Sequence, residues 1–163
     1  MGQNEDRLRR RAISAIRQGK GAWEKWLQQD RHAYSRISGS DLSGLDLTGI
    51  DLHLAQLSGS KFNQANLTRA NLGFAYLIQI NFSSVNLTKA NLEEADMTGA
   101  NMVGADLTRA RLYNANLTDA SLVKANLAYA DLTGACLLRA DLRGAQLTGT
   151  NFTDADLTDT LFD

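Results

Sequence analysis

Residues 90–109 read ANLEEADMTGANMVGADLTR, four consecutive five-residue units with Ala first, Asp or Asn second and a large apolar residue third. Working outward in both directions, the large apolar residue recurs every five positions without a gap. It occupies twenty-five positions, from Leu42, Leu47 and Leu52 to Phe152, Leu157 and Phe162. A period of five matches neither the 3.6 of a helix nor the 2 of a flat strand. A repeat this short builds a solenoid, in which each unit is stable only through its neighbours.

Two residues before this apolar centre, Ala occurs seventeen times in twenty-five, unbroken from Ala90 to Ala145. Asp or Asn directly precedes the centre, again seventeen times in twenty-five. In extended chain, residues two apart point the same way. Ala and the centre therefore face inward, and the Asp or Asn between them faces solvent. The last two residues must turn the chain. Gly44, Gly49, Gly99 and Gly134 suit the third position of a type II turn, which needs φ > 0. Where that place holds Arg69, Lys89 or Glu94, a different turn type is expected. Thr follows the centre at Thr48, Thr68, Thr88, Thr108 and Thr148, with a gap at Ala128. This 20-residue spacing favours four units per coil, although a ten-residue period fits much of the same pattern. Four units per coil give about six coils and a rod on the order of 30 Å long at a strand spacing of ~4.8 Å.

With the unit Ala-Asp/Asn-Leu-Ser/Thr-Gly, residues 40–162 resemble the pentapeptide repeat proteins. The resemblance implies an all-β solenoid, a right-handed quadrilateral parallel β-helix. The family is functionally diverse. Some members regulate bacterial signalling or differentiation. Others resemble double-stranded DNA in width and charge, bind DNA gyrase and protect it from quinolones.

Charge divides the chain. Residues 1–39 carry nine Lys/Arg against four Asp/Glu, net +5, and residues 40–163 carry eight against fourteen, net −6. The expected arrangement is the basic extension docked on the acidic rod, in preference to the extension binding nucleic acid. Proline is absent, as suits a ladder that uses every amide. Cys136 is the only cysteine, so no internal disulfide forms. No apolar run reaches membrane-spanning length, and MGQNEDRLRRR has no apolar signal core behind it. The expected location is cytoplasmic, with no membrane partner.

The expected domains are a helical extension, 1–39, and the β-helix, 40–163. Residues 4–30 read as helix, capped at Asn4 or Asp6 and broken by Gly19 and Gly21, with a second helix at about 22–29. Leu8, Ile13 and Ile16 share one face; Trp23, Trp26 and Leu27 fall at i, i+3 and i+4. The stretch Gly21-Ala22-Trp23-Glu24-Lys25-Trp26 resembles a helical leader found ahead of bacterial pentapeptide repeats. A solenoid end exposes apolar side chains and unpaired edges, so these six apolar residues are candidate cap residues over the first coil. At the other end, Leu157, Leu161 and Phe162 are expected to remain open and to join two copies tail to tail.

Outward positions that break the pattern are the candidate partner site. His53, Leu54, Phe74, Tyr76 and Ile78 fall on adjoining faces of neighbouring coils and would form an apolar patch, free or covered by the helices. Arg69, Lys89 and Arg109 form a column at 20-residue intervals, a solvated face or a stripe that tracks phosphates. No catalytic, cofactor-binding or metal-ligating set is evident. His32 and His53 have no Cys or carboxylate cluster at ligand spacing, and Cys136 has no activating partner. The N-x-S/T matches at Asn66, Asn81, Asn86, Asn116 and Asn151 follow from the repeat unit itself. The expected function is a non-catalytic interaction scaffold or regulatory binding protein. The alternative is a DNA-mimicking modulator of gyrase, which needs a strongly negative surface.

Overall fold

A computed structural model describes residues 2–30, 32, 34 and 37–163. Helix α1 spans Gly2–Arg17 and helix α2 spans Lys20–Gln29. Asn4 and Asp6 lie inside α1, which already includes Gly2, so neither is its cap. The break is at Gly19 alone, with φ 92° and ψ −177°; its carbonyl accepts from the Trp23 amide. Gly21 sits in the first turn of α2, where helical backbone suits it.

From Asp41 onward the chain coils. Parallel bridges join residues twenty apart, from Asp41↔Lys61 to Asp141↔Leu161. The register selects four units per coil and excludes ten residues. A solenoid follows from the chemistry of one unit. The amide of Leu47 donates to the carbonyl of Asn66 in the next coil (2.8 Å), and that of Gly49 to Thr68 (2.8 Å). The amide of Asn66 donates back to Leu45 (2.9 Å), and that of Ile50 closes the turn on Leu47 (3.1 Å). The fifth amide, Thr48, donates to the Asp46 carboxylate (3.1 Å).

This last bond corrects the reading of Asp and Asn as residues that merely face water. All seventeen Asp and Asn at this position accept from the amide two residues on. Only a short side chain with a planar oxygen reaches that far back. The ladder supplies no partner for this amide, so the side chain does.

The turns need a second correction. All twenty-five residues ending the units, from Gly39 to Asp159, have φ between 53° and 71°, and sixteen of them are not glycine. Arg69 (58°), Lys89 (59°) and Glu94 (53°) adopt the same left-handed conformation as their glycine neighbours, not another turn type. Left-handed backbone costs a non-glycine residue roughly 1–2 kcal/mol. Another turn would take the Arg69 amide off the Thr88 carbonyl (2.9 Å) and shift every later unit. The coil-to-coil ladder overrides local preference.

The centres and alanines from Leu42 to Leu142 are buried in one column of core, where the Phe62 and Phe82 rings meet edge to face at 5.5 Å. Ile16, Trp23 and Trp26 join this core, and Leu8, Ile13 and Leu27 pack against it. The helices also meet the open edge of the first coil. Carbonyls there point away from the rod, with no earlier coil to bond them. The Arg9 guanidinium donates to Ser38 O (2.7 Å), Arg17 to Asp41 O (3.0 Å) and the Trp23 indole to Asp51 O (2.7 Å). Tyr34 O accepts from the Gln56 amide (2.9 Å), and its ring meets Trp23 edge to face.

Candidate interaction surfaces

Because outward positions repeat every twenty residues, side chains one coil apart stack into columns. Leu54 and Phe74 occupy one corner column, both with positive φ. Their amides are tied to Gly73 O (3.0 Å) and Glu93 O (2.8 Å), which fixes where the side chains leave the rod. Tyr76 and Ile78 follow on the next face. The exposures are Leu54 53%, Phe74 44%, Tyr76 46% and Ile78 36%. The helices leave this patch open.

His53 is half-buried beside it, its ring edge to face with Phe74 at 5.5 Å. Gly73, buried beneath, leaves a tight space: a Cβ there would lie 3.0 Å from Asn91 Nδ2 and 3.4 Å from His53 Nδ1, so those side chains would have to give. The next coil gives the patch an acidic rim. Glu94 follows Phe74 and Asp96 follows Tyr76 in their columns, and Glu93 is held by Arg111. Tyr113 and Tyr129 are also exposed. The sequence reading did not single them out, although an aromatic at an outward repeat position was a visible signal.

Charged columns are of two kinds. At one corner Arg139 makes a paired contact with Asp119 (2.7 and 2.8 Å) and has Asp159 on its other side. Hydrogen bonding to Arg139 holds the Asp119 carboxyl below its ordinary value and raises the guanidinium. At another corner Arg69, Lys89 and Arg109 follow one another. None of the three ion pairs found among the described residues of the rod involves them.

Among the described residues no group of His, Cys, Asp and Glu could hold a metal. The His53 ring meets Phe74, its amide donates to the Asp51 carboxylate (3.1 Å), and Cys136 Sγ lies 3.3 Å from Thr118 Oγ1. A hollow of about 280 Å³ between α1 and α2 is lined by Arg11, Gln18, Lys25 and Trp26, with the Arg11 guanidinium over the indole. No described helix is long and apolar enough to cross a membrane.

The family model described as pentapeptide repeats (8 copies) matches residues 35–73, 65–102, 100–138 and 125–163. The chain belongs to the pentapeptide repeat family. A trypsin-treated variant of QnrB1, a plasmid-mediated fluoroquinolone resistance protein, is 23% identical over 78% of this chain and 67% of its own, with a TM-score of 0.58. That likeness shows the fold. HetL, involved in heterocyst differentiation regulation in the cyanobacterium Nostoc sp. strain PCC 7120, is 26% identical over 77% of this chain and 86% of its own, with a TM-score of 0.36. A pentapeptide repeat protein of the Arabidopsis thaliana thylakoid lumen is 26% identical over 76% and 66%, with a TM-score of 0.42. No curated protein matched the sequence.

Proposed function

We propose that this pentapeptide repeat protein is a non-catalytic interaction scaffold that binds a protein partner through Leu54, Phe74, Tyr76 and Ile78. The observation that carries this reading is the grouping of four exposed apolar side chains on two neighbouring coils, whereas Val103, Tyr113 and Tyr129 are exposed singly. The rod is well suited to presenting such a group, because the amides of Leu54, Phe74 and Tyr76 are committed to the ladder. The test is affinity capture with the full chain, with Phe74→Ser/Tyr76→Asn beside it. The reading predicts a specific protein captured by the wild type and lost with the double variant. Equal capture by both would remove the patch from the reading.

The gyrase reading makes a different prediction. It expects inhibition of gyrase supercoiling by the full chain, unchanged in Phe74→Ser/Tyr76→Asn. Eight Lys/Arg interrupt the rod, whose net charge is only −6, so its surface is weakly negative. We place this reading second.

Three further readings accompany the scaffold. The coil is right-handed and quadrilateral, supported by the 20-residue register and by family membership. Residues 1–39 cap the rod, supported by the bonds from Arg9, Arg17 and Trp23 to its first edge. Two copies associate through Leu157, Leu161 and Phe162, supported by their exposure at the far end. A monomeric mass at high micromolar concentration would count against that last contact.

A further inference from the structure

The corner column Gly49, Arg69, Lys89, Arg109, Tyr129, Gly149 differs from its counterpart at Asp119, Arg139 and Asp159. The fold readily neutralises a cation in such a column by placing a carboxylate one coil away, as Arg139 shows. Here it does not. Arg69 and Lys89 are flanked by Thr68 and Thr88 on one side and Asn71 and Asn91 on the other, with no carboxylate in those positions. The coil spacing of ~4.8 Å sets three like charges in file, an arrangement that costs electrostatic energy while no anion is bound.

A second observation extends the file. The column begins at Gly49, which has no side chain. Lys20, from α2, fills that place: its Nζ lies 3.6 Å from where a Gly49 Cβ would stand. A cation therefore occupies the position even where the repeat supplies none, with Glu24 of the same helix 3.8 Å from it. At the other end the Arg109 guanidinium lies over the Tyr129 ring, 5.7 Å from its centroid. The ring in turn lies 2.7 Å from where a Gly149 Cβ would be, so only glycine fits beneath it. Tyr129 stands between Arg109 and Gly149 along the column, with more than half of its side chain exposed, and ends the file of cations.

We propose that Lys20, Arg69, Lys89 and Arg109 form a binding ridge for an extended acidic segment of a partner polypeptide. Three coil steps span ~14 Å, the length of about four extended residues. The ridge is one side chain wide. Asp46 and Asp106 on one adjoining face, and Glu93 on the other with Glu94 at the corner beyond it, oppose a broad polyanion such as duplex nucleic acid, whereas a single strand of polypeptide lies between them. The ridge is separate from the Leu54–Ile78 patch, and either can fail its test without the other.

The experiment is fluorescence anisotropy of a labelled oligo-glutamate peptide with the full chain, at low and at physiological salt. Arg69→Gln/Lys89→Gln is expected to weaken binding about tenfold, from two exposed charge contacts of ordinary strength. Lys61→Gln/Lys124→Gln changes net charge equally at exposed positions off the ridge, and is expected to change binding less than about twofold. Lys20→Gln is expected to lie between them. Equal losses in the two double variants, or no wild-type binding, would overturn the proposal. Tighter binding of a labelled single-stranded oligonucleotide than of oligo-glutamate would overturn it too, and would make the ridge a nucleic-acid site.

Discussion

At one end of the rod, helices α1 and α2 meet the open edge of the first coil with three side-chain donors, and the fully buried Trp23 is one of them. At the other end, the Gly144 amide finds Asp163 (2.7 Å), but the amides of Leu147, Phe152 and Leu157 have no partner among the described residues. Phe152 is partly buried there, and Leu157, Leu161 and Phe162 are exposed. The difference shows what a coil's neighbours provide. An interior coil has both edges bonded and both layers of core covered, and an end coil has one of each unless something else supplies them. Side chains can stand in for a missing coil, and here they do so at one end only.

The largest break in this comparison is Trp23→Ala. It removes a buried indole and the bond to Asp51 O, so stability to denaturant should fall by about 3–5 kcal/mol. Phe152→Ala, on the uncovered coil, should cost about half of that or less, because part of its ring stays in water and no further coil confines the space it would leave. Equal losses would mean that the two ends are equivalent. Asp106→Ala lies in the interior and leaves both ends intact. It strips the Thr108 amide of its acceptor (2.9 Å) and should cost about 1 kcal/mol.

Acid tests the same bonds throughout the rod. Hydroxyl hydrogen bonds from Ser43, Thr48, Thr133 and Thr158 hold the carboxyls of Asp41, Asp46, Asp131 and Asp156 below their ordinary value. Arg143 does the same for Asp141. A carboxyl lowered on folding stabilises the protein above its unfolded pKa, about 4, and that contribution is lost as pH falls through the folded values. The melting temperature should therefore hold steady above about pH 5 and fall below about pH 4. A flat profile down to pH 2 would show that the turn carboxylates contribute nothing.

The smallest effect is expected at a strained turn. Gln64→Gly relieves a φ of 60°, and the relief, less the extra freedom glycine has in the unfolded chain, leaves about 0.5 kcal/mol of added stability. A loss of stability would show that the Gln64 side chain contributes more than its backbone costs.

The interaction surfaces were legible to unequal degrees. Phe74, Tyr76, Leu54 and Ile78 stood out as apolar residues at outward positions, and a strict period made those positions readable from the chain alone. That the helices leave them open could not be read, because it depends on where α1 and α2 dock. The column of Arg69, Lys89 and Arg109 was visible, but Lys20 was not, since it lies outside the repeat and reaches the column only through the docking of α2. Tyr129 carried a signal as an outward aromatic; its place over Gly149 did not.

The sequence by itself determined the five-residue unit, the inward face made by Ala and the apolar centre, and membership of a solenoid family, because burial of the same two residues in every five forces the chain to keep turning. The 20-residue register, the bond from each Asp or Asn to its turn and the left-handed backbone at Arg69 or Glu94 were decided by the tertiary structure. Each depends on a hydrogen bond to a coil nineteen or twenty-one residues away, or on the amide that such bonds leave over. Local preference does not encode a ladder whose partner lies one coil distant. Once that ladder is complete, its cooperative gain outweighs the cost at any single turn.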